Sequence, residues 1–193
     1  SAVSASTQGG ATVNNLVPQG ALSMNLGWDG YGVGIKGAYQ QAKVNSTGAN
    51  NVQGYTSYLV GAQYTGIAGL KLAAVYGRNT VGTNQNGTLG AQKGSNNQVY
   101  LGASYRFGNN EPRILCTSSG NMSGVQGVGQ DGARQITANW GYYLSKRTQV
   151  YGVVSAINNA ANGVYQFAGN GSNLAPTGGQ NMMTYGAGLR TNF

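Results

Sequence analysis

The side chains best placed to act on something else in this chain are four cations. Lys36, Lys71, Arg106 and Arg190 each lie in a stretch of alternating apolar and polar residues, and each falls on the polar parity of its stretch. Successive side chains of a β-strand point to opposite faces. Each cation is therefore expected to share a wall with glycine, serine, alanine or glutamine rather than with the apolar residues beside it. No acid is expected on that wall, because Asp29, Glu111 and Asp131 all read as turn or loop residues. Unpaired cations along a confined aqueous wall raise the local anion concentration and repel other cations. On a soluble sheet the same residues would be solvated surface charges.

Other chemistry lacks materials. The chain has no histidine, three acids and one cysteine, Cys116, so a Ser-His-Asp triad, a His-supported zinc site and an intramolecular disulfide are all excluded. Neither catalysis nor a cofactor or metal is expected. Gly32-Val33-Gly34-Ile35-Lys36-Gly37 satisfies the dinucleotide-binding fingerprint, but no helix pattern follows it, and glycines on a wet wall explain it more simply. The net charge is +8, yet the cations are scattered singly apart from Lys146-Arg147, which is not the dense stripe of a nucleic-acid binder.

The elements that must position the four cations are strands. Alternation predicts them at 21–28, 31–42, 57–65, 70–78, 97–107, 113–118, 134–144 and 148–157, with a last one ending at Phe193. Residues 1–20 read as a loop or flexible N-terminal segment, and 21–193 as one strand-built unit with no helix. The connections alternate in length. Short ones fall at Asp29-Gly30, 65–69, 108–112 and Ser145-Lys146-Arg147, and long ones at 43–54, 79–96, 119–132 and 158–181. Only 7% of residues are charged, against about 25% in ordinary globular domains. The mean hydropathy is nevertheless −0.27, so uncharged polar residues and the 34 glycines make up the difference. No apolar run reaches the length of about 18 residues that a membrane helix needs.

The apolar parity carries the aromatics, and they gather toward strand ends. Trp28, Tyr31, Tyr64, Tyr105, Phe107, Tyr142 and Phe193 lie toward the short connections, Tyr39, Tyr58, Tyr76 and Tyr185 toward the long ones, and Trp140 shares the outward parity of its strand. From Tyr31 to Tyr39, or from Tyr185 to Phe193, is roughly 26 Å of strand, or about 20 Å of height once strands tilt. Two aromatic girdles at that separation, with short turns at one end and long loops at the other, are the build of an antiparallel transmembrane β-barrel. The expected fold is thus all-β, a meander of about nine or ten strands, residues 11–17 supplying a possible tenth. The same composition also permits a secreted Gly/Asn/Gln-rich structural β-protein forming a filament or sheath.

Three segments resemble the Gram-negative general porins of the betaproteobacterial type. Tyr142-Tyr143-Leu144-Ser145-Lys146-Arg147-Thr148-Gln149-Val150-Tyr151 resembles that family's penultimate hairpin. Tyr185 to Phe193, ending Gly-Leu-Arg-Thr-Asn-Phe, resembles its C-terminal strand, with Thr191 where a histidine is common, and Leu70 to Arg78 is similar to a middle strand. The resemblance implies the C-terminal portion of a porin barrel in the bacterial outer membrane, a water-filled passive channel for small hydrophilic solutes. It implies a homotrimer surrounded by outer-membrane lipid, recognised by the barrel-assembly machinery through a terminal aromatic, here Phe193. With Lys36, Lys71, Arg106 and Arg190 lining the pore, small anionic solutes are the expected cargo and nucleic acid is not.

Overall fold

The computed structural model describes residues 17–45, 50–85, 91–124, 129–167 and 176–192. They form nine strands: β1 (Val17–Gly30), β2 (Val33–Asn45), β3 (Asn50–Tyr64), β4 (Leu70–Gln85), β5 (Ala91–Tyr105), β6 (Asn110–Ser119), β7 (Ala133–Tyr143), β8 (Thr148–Asn159) and β9 (Met182–Thr191). Each pairs antiparallel with its neighbour in sequence, so the sheet order is the chain order. This is the expected all-β meander. Among the described residues β1 and β9 do not pair with each other.

The sheet is a single layer, which decides where its apolar residues go. Among the described residues no large side chain is fully buried, and only Ala42 and Ile157 count as buried hydrophobics. One face instead carries a continuous apolar surface that none of the described residues covers: Leu26 is 82% exposed, Met183 70% and Leu189 64%. Soluble monomers rarely expose contiguous apolar patches beyond a few hundred Å². Such a face is stable only against another apolar phase. Register keeps the two faces distinct, since Leu72, Ala103, Ile114, Ala138, Val154 and Tyr185 follow one another across six strands on the apolar side.

The short connections all lie on one rim, and backbone hydrogen bonds tie each to the next. Thr65 N donates to Gly32 O at 2.7 Å, Arg106 N to Gly69 O at 2.8 Å, Tyr143 N to Asn109 O at 2.7 Å and Asn192 N to Arg147 O at 3.0 Å. The first turn is not Asp29-Gly30, as expected, but Tyr31-Gly32, whose φ angles of 52° and 77° are both positive. That is the twist-matched two-residue hairpin, and β1 runs through Asp29 to reach it. Gly69 (φ 80°) is needed for a second reason, because a Cβ there would collide with the Arg106 carbonyl oxygen. Ser145 Oγ accepts hydrogen bonds from Arg147 N and Thr148 N, closing the last turn as read from the sequence.

On the opposite rim the expected loops at 43–54 and 79–96 are largely strand. β2 and β3 pair up to Lys43↔Gly54, and β4 and β5 up to Asn84↔Ala91. Those segments lack apolar alternation because the strands there extend past the apolar band, where lateral backbone pairing holds them together with side-chain bonds such as Ser57 Oγ to Asn79 Oδ1 at 2.6 Å. The β6–β7 and β8–β9 connections are long. β1 likewise begins at Val17, inside the stretch read as loop.

This arrangement predicts accessibility. An epitope inserted near Gly120 or Asn162 should be labelled on intact cells, and one at Tyr31-Gly32 or Lys146 should be labelled only after permeabilisation. Labelling of the short turns on intact cells would invert the topology.

Candidate functional site

The polar face of the sheet is built in rows that the register defines. Lys71 lies beside Ser104, Ser104 beside Arg113, and Arg113 beside Asn139. Past the Glu111, Gly141, Tyr151 row, a further one runs Tyr143, Gln149, Arg190. Two concavities open onto these rows. One of about 450 Å³ is lined by Lys71, Ser104, Arg113 and Asn139 among others, and one of about 480 Å³ by Arg113, Asn139, Gln149, Tyr151 and Arg190. Arg113 belongs to both.

Of the four cations read from the sequence, Lys71, Arg106 and Arg190 gather near the short-turn rim. Arg106 lies in the β5–β6 connection just past Tyr105, and its guanidinium stacks over the Tyr143 ring at 4.0 Å from the ring centre. Cation–π contacts of this kind favour a planar guanidinium. Lys36 stands apart, in a row with Gly27 and Gly61, its stem passing 3.1 Å from where a Gly27 side chain would begin.

The expectation that the polar wall holds no acid is overturned. Glu111 and Asp29 both lie within strands and on the polar parity, Glu111 opposite Gly141 and Asp29 opposite Gly34. Glu111 is only 6% exposed. Its carboxylate takes an ion pair from Arg113 Nη2 at 2.9 Å, a hydrogen bond from Arg113 Nε at 3.2 Å and one from the Tyr143 hydroxyl at 2.6 Å. Glu111 is thus the hub joining Arg113 to Tyr143, and through that ring to Arg106. Sequence reading missed it by placing 108–112 in a turn. The turn is Gly108-Asn109 alone, closed by Phe107 and Asn110 bonding to each other at 3.0 Å. The signal was available: Ile114 and Cys116 alternate outward, so Arg113 and Glu111 must point the other way.

The aromatics lie on the apolar face. Tyr105 stacks on Phe107 at 5.9 Å, Phe107 meets Trp140 edge-on at 6.3 Å, and Trp140 Nε1 donates to Asn110 Oδ1 at 3.2 Å, all near the short-turn rim. Farther along the strands Tyr58 and Tyr76 approach at 6.4 Å. Trp28, Tyr31, Tyr142 and Tyr185 are exposed, whereas Tyr39 and Tyr64 are partly covered. Tyr31 occupies the turn itself. Phe193 lies outside the described residues.

A one-layer antiparallel meander with an apolar wall and a charged polar wall is a membrane-barrel wall. The family model for the Gram-negative porin matches residues 15–176. The chain belongs to the Gram-negative porin family. It is accordingly an outer-membrane channel protein, and the filament reading finds no support in that membership. The match takes in β1 and β2, which the sequence motifs did not reach. A search of curated proteins returned no match.

The porin's Glu111 hub carries a stability prediction. Glu111→Ala leaves the Arg113 guanidinium and the Tyr143 hydroxyl without their shared acceptor, which should lower unfolding stability by roughly 1–3 kcal/mol. Arg113 is 37% exposed, so the lower part of that range is expected. A urea unfolding midpoint measured in lipid vesicles checks it, and an unshifted midpoint would show that the hub is dispensable.

Proposed function

We propose that this porin conducts small hydrophilic solutes with a preference for anions, and that Lys36, Lys71, Arg106 and Arg190 line its water path. The observation that carries this reading is the gathering of Lys71, Arg106 and Arg190 on the polar face, where the acid within the same cluster is already engaged by Arg113. An ammonium or guanidinium at the bilayer midplane on the lipid side costs about 2–4 kcal/mol. Polar-side placement is the stable one, and there the charges act on the solution. Fixed positive charge beside a narrow aqueous path accumulates anions within a Debye length.

The proposed assembly follows the family resemblance. The chain forms a homotrimer in outer-membrane lipid, delivered by the barrel-assembly machinery, with Phe193 as the terminal aromatic of the recognition signal. The aromatics of the apolar face, Trp28, Tyr31, Tyr39, Tyr58, Tyr64, Tyr76, Tyr105, Phe107, Trp140, Tyr142 and Tyr185, serve as lipid-interface anchors. Their amphipathic rings suit the boundary between acyl chains and headgroups.

Two measurements test these proposals. Replacing Lys36, Lys71, Arg106 and Arg190 with glutamate should move the reversal potential across a salt gradient from anion toward cation preference in planar bilayers. The shift should shrink as the Debye length falls from about 10 Å at 0.1 M salt to about 3 Å at 1 M. Retained anion preference in the fourfold variant at low salt would remove these residues from the pore. Separately, deletion of Phe193 should reduce the inserted fraction in cells more than deletion of Gly120, a loop residue. Equal insertion would discard the assembly role.

A further inference from the structure

Not every large apolar residue follows the apolar parity. Leu59 pairs with Gly77, Val75 with Gly61, Tyr100 with Thr117 and Leu115 with Gly102, which places all four on the polar wall, in step with Lys71, Ser104 and Arg113. Leu59 and Tyr100 are exposed there. Two of the four converge over a glycine: from the point where a Gly102 side chain would begin, the Tyr100 ring is 3.3 Å away and Leu115 Cδ1 3.8 Å. The bare backbone at Gly102 lets ring and leucine close into one patch, with Val75 as the cross-strand partner of Tyr100. Water is a poor partner for such a patch.

The patch lies in the cavity of about 450 Å³ that also opens onto Lys71 and Arg113, where Ala73, Gly102, Leu115 and Tyr100 make an apolar floor. The row of Lys71, Ser104 and Arg113 is two residues from the row of Ala73, Gly102 and Leu115 and four from Tyr100, roughly 7 and 13 Å along the strands. One end of the cavity is therefore cationic and the rest apolar. Every charge near that end has a place. Glu111 engages Arg113 through Nε and Nη2, which leaves Nη1 outside the pair, and Lys71, Arg113 and Glu111 together sum to one positive charge. Arg106 is held over the Tyr143 ring, and Arg190 lines the adjoining cavity. Asp29 lies across β2, its carboxylate turned over Gly34 toward the Gln63 amide, on the side of the cavity away from Arg113. Asp131 lies in the β6–β7 connection, at the long-loop end. A concave site of this size, mostly apolar with a few convergent polar groups, suits a small organic molecule. The charge sum matches one carboxylate.

We propose that this cavity is a saturable binding site for small aromatic monocarboxylates, of which benzoate is the simplest. Lys71 Nζ and Arg113 Nη1 donate to the carboxylate, and the ring packs on Leu115 and against the Tyr100 ring in an offset or edge-on contact. Charge and apolar contact act on the same solute. Acetate has only the first and benzyl alcohol only the second, so neither is held as benzoate is. The proposal rests on the reading of Lys71 as a residue of the water path and deepens it by naming a solute class.

The test uses the full chain in planar bilayers at low salt. The wild-type reversal potential in a potassium chloride gradient is read first and reports on anion preference alone. Sodium benzoate, sodium acetate or benzyl alcohol is then titrated against the chloride current. Benzoate should depress the current saturably, with a half-blocking concentration roughly tenfold below that of acetate, as expected when a carboxylate gains one apolar contact. Leu115→Asn, which makes the floor polar at similar volume, should raise the half-blocking benzoate concentration roughly tenfold and leave that of acetate alone. Leu59→Asn, on the same wall but outside the cavity, should change neither. If Leu115→Asn does not insert, Tyr100→Gln decides by the same readout. Benzoate no more effective than acetate, benzyl alcohol as effective as benzoate, or block undiminished by the polar floor would overturn the site, even where the reversal potential shows anion preference. A cation-side reversal potential with the benzoate block intact would overturn the anion preference alone and support the site.

Discussion

Lateral backbone pairing is the constraint on which everything else in this chain rests. In hydrocarbon every N–H and C=O must be satisfied within the protein, because an unpaired group costs several kcal/mol. A meander in which each strand bonds to its sequence neighbours meets that demand for β2 to β8 with one layer of chain, and leaves the outer edges of β1 and β9 unpaired with each other among the described residues. A single layer has no interior. Its apolar residues must therefore face lipid, and its polar residues must face water or one another, and that is why Leu26 and Tyr185 are exposed while Glu111 and Gln149 are buried.

That inversion changes what a charged residue can do. In a globular domain a surface lysine is solvated and dilute in effect. On the polar wall of this sheet, Lys71, Arg113 and Arg190 open onto adjoining concavities of a few hundred Å³, where low-dielectric walls focus their field. The engagement of Glu111 by Arg113 and Tyr143 matters in the same way. It ties the only glutamate of the chain to one cation and holds a second, Arg106, through a ring. Which charges remain available to the solution is decided by that network and not by the count of basic residues.

The apolar wall has its own grading. Aliphatic residues fill its middle and tyrosine, tryptophan and phenylalanine its margins, and cations enter at the long-loop end, Arg78 in the row of Tyr39 and Tyr58 and Lys93 beyond it. Each step follows the polarity of the phase that the wall meets, from acyl chain through interface to headgroup. The first five strands outrun the apolar band, and their polar extensions are held by lateral pairing and by side-chain hydrogen bonds such as Asn96 to Ser119.

The sequence by itself determined a meander of about nine or ten strands, the face of most residues within the apolar band, and the family. Period-two alternation survives in a one-layer sheet because no second layer competes with it, so Tyr185 to Phe193 or Leu70 to Arg78 could be read directly. The parity of Lys36, Lys71, Arg106 and Arg190 was legible for the same reason. What only the tertiary structure decided is lateral. Asp29 joined a strand because the twist-matched turn moved to Tyr31-Gly32, and Glu111 joined one because Phe107 and Asn110 closed a tighter turn. Polar segments at 43–54 and 79–96 paired although no apolar rhythm marks them. Gln41, Thr56, Thr80 and Lys93, distant in the chain, became neighbours through register alone. Alternation fixes which side of a strand a residue takes, but hydrogen-bond register between strands sets its companions, and register is a property of pairs of strands that no single stretch of sequence contains.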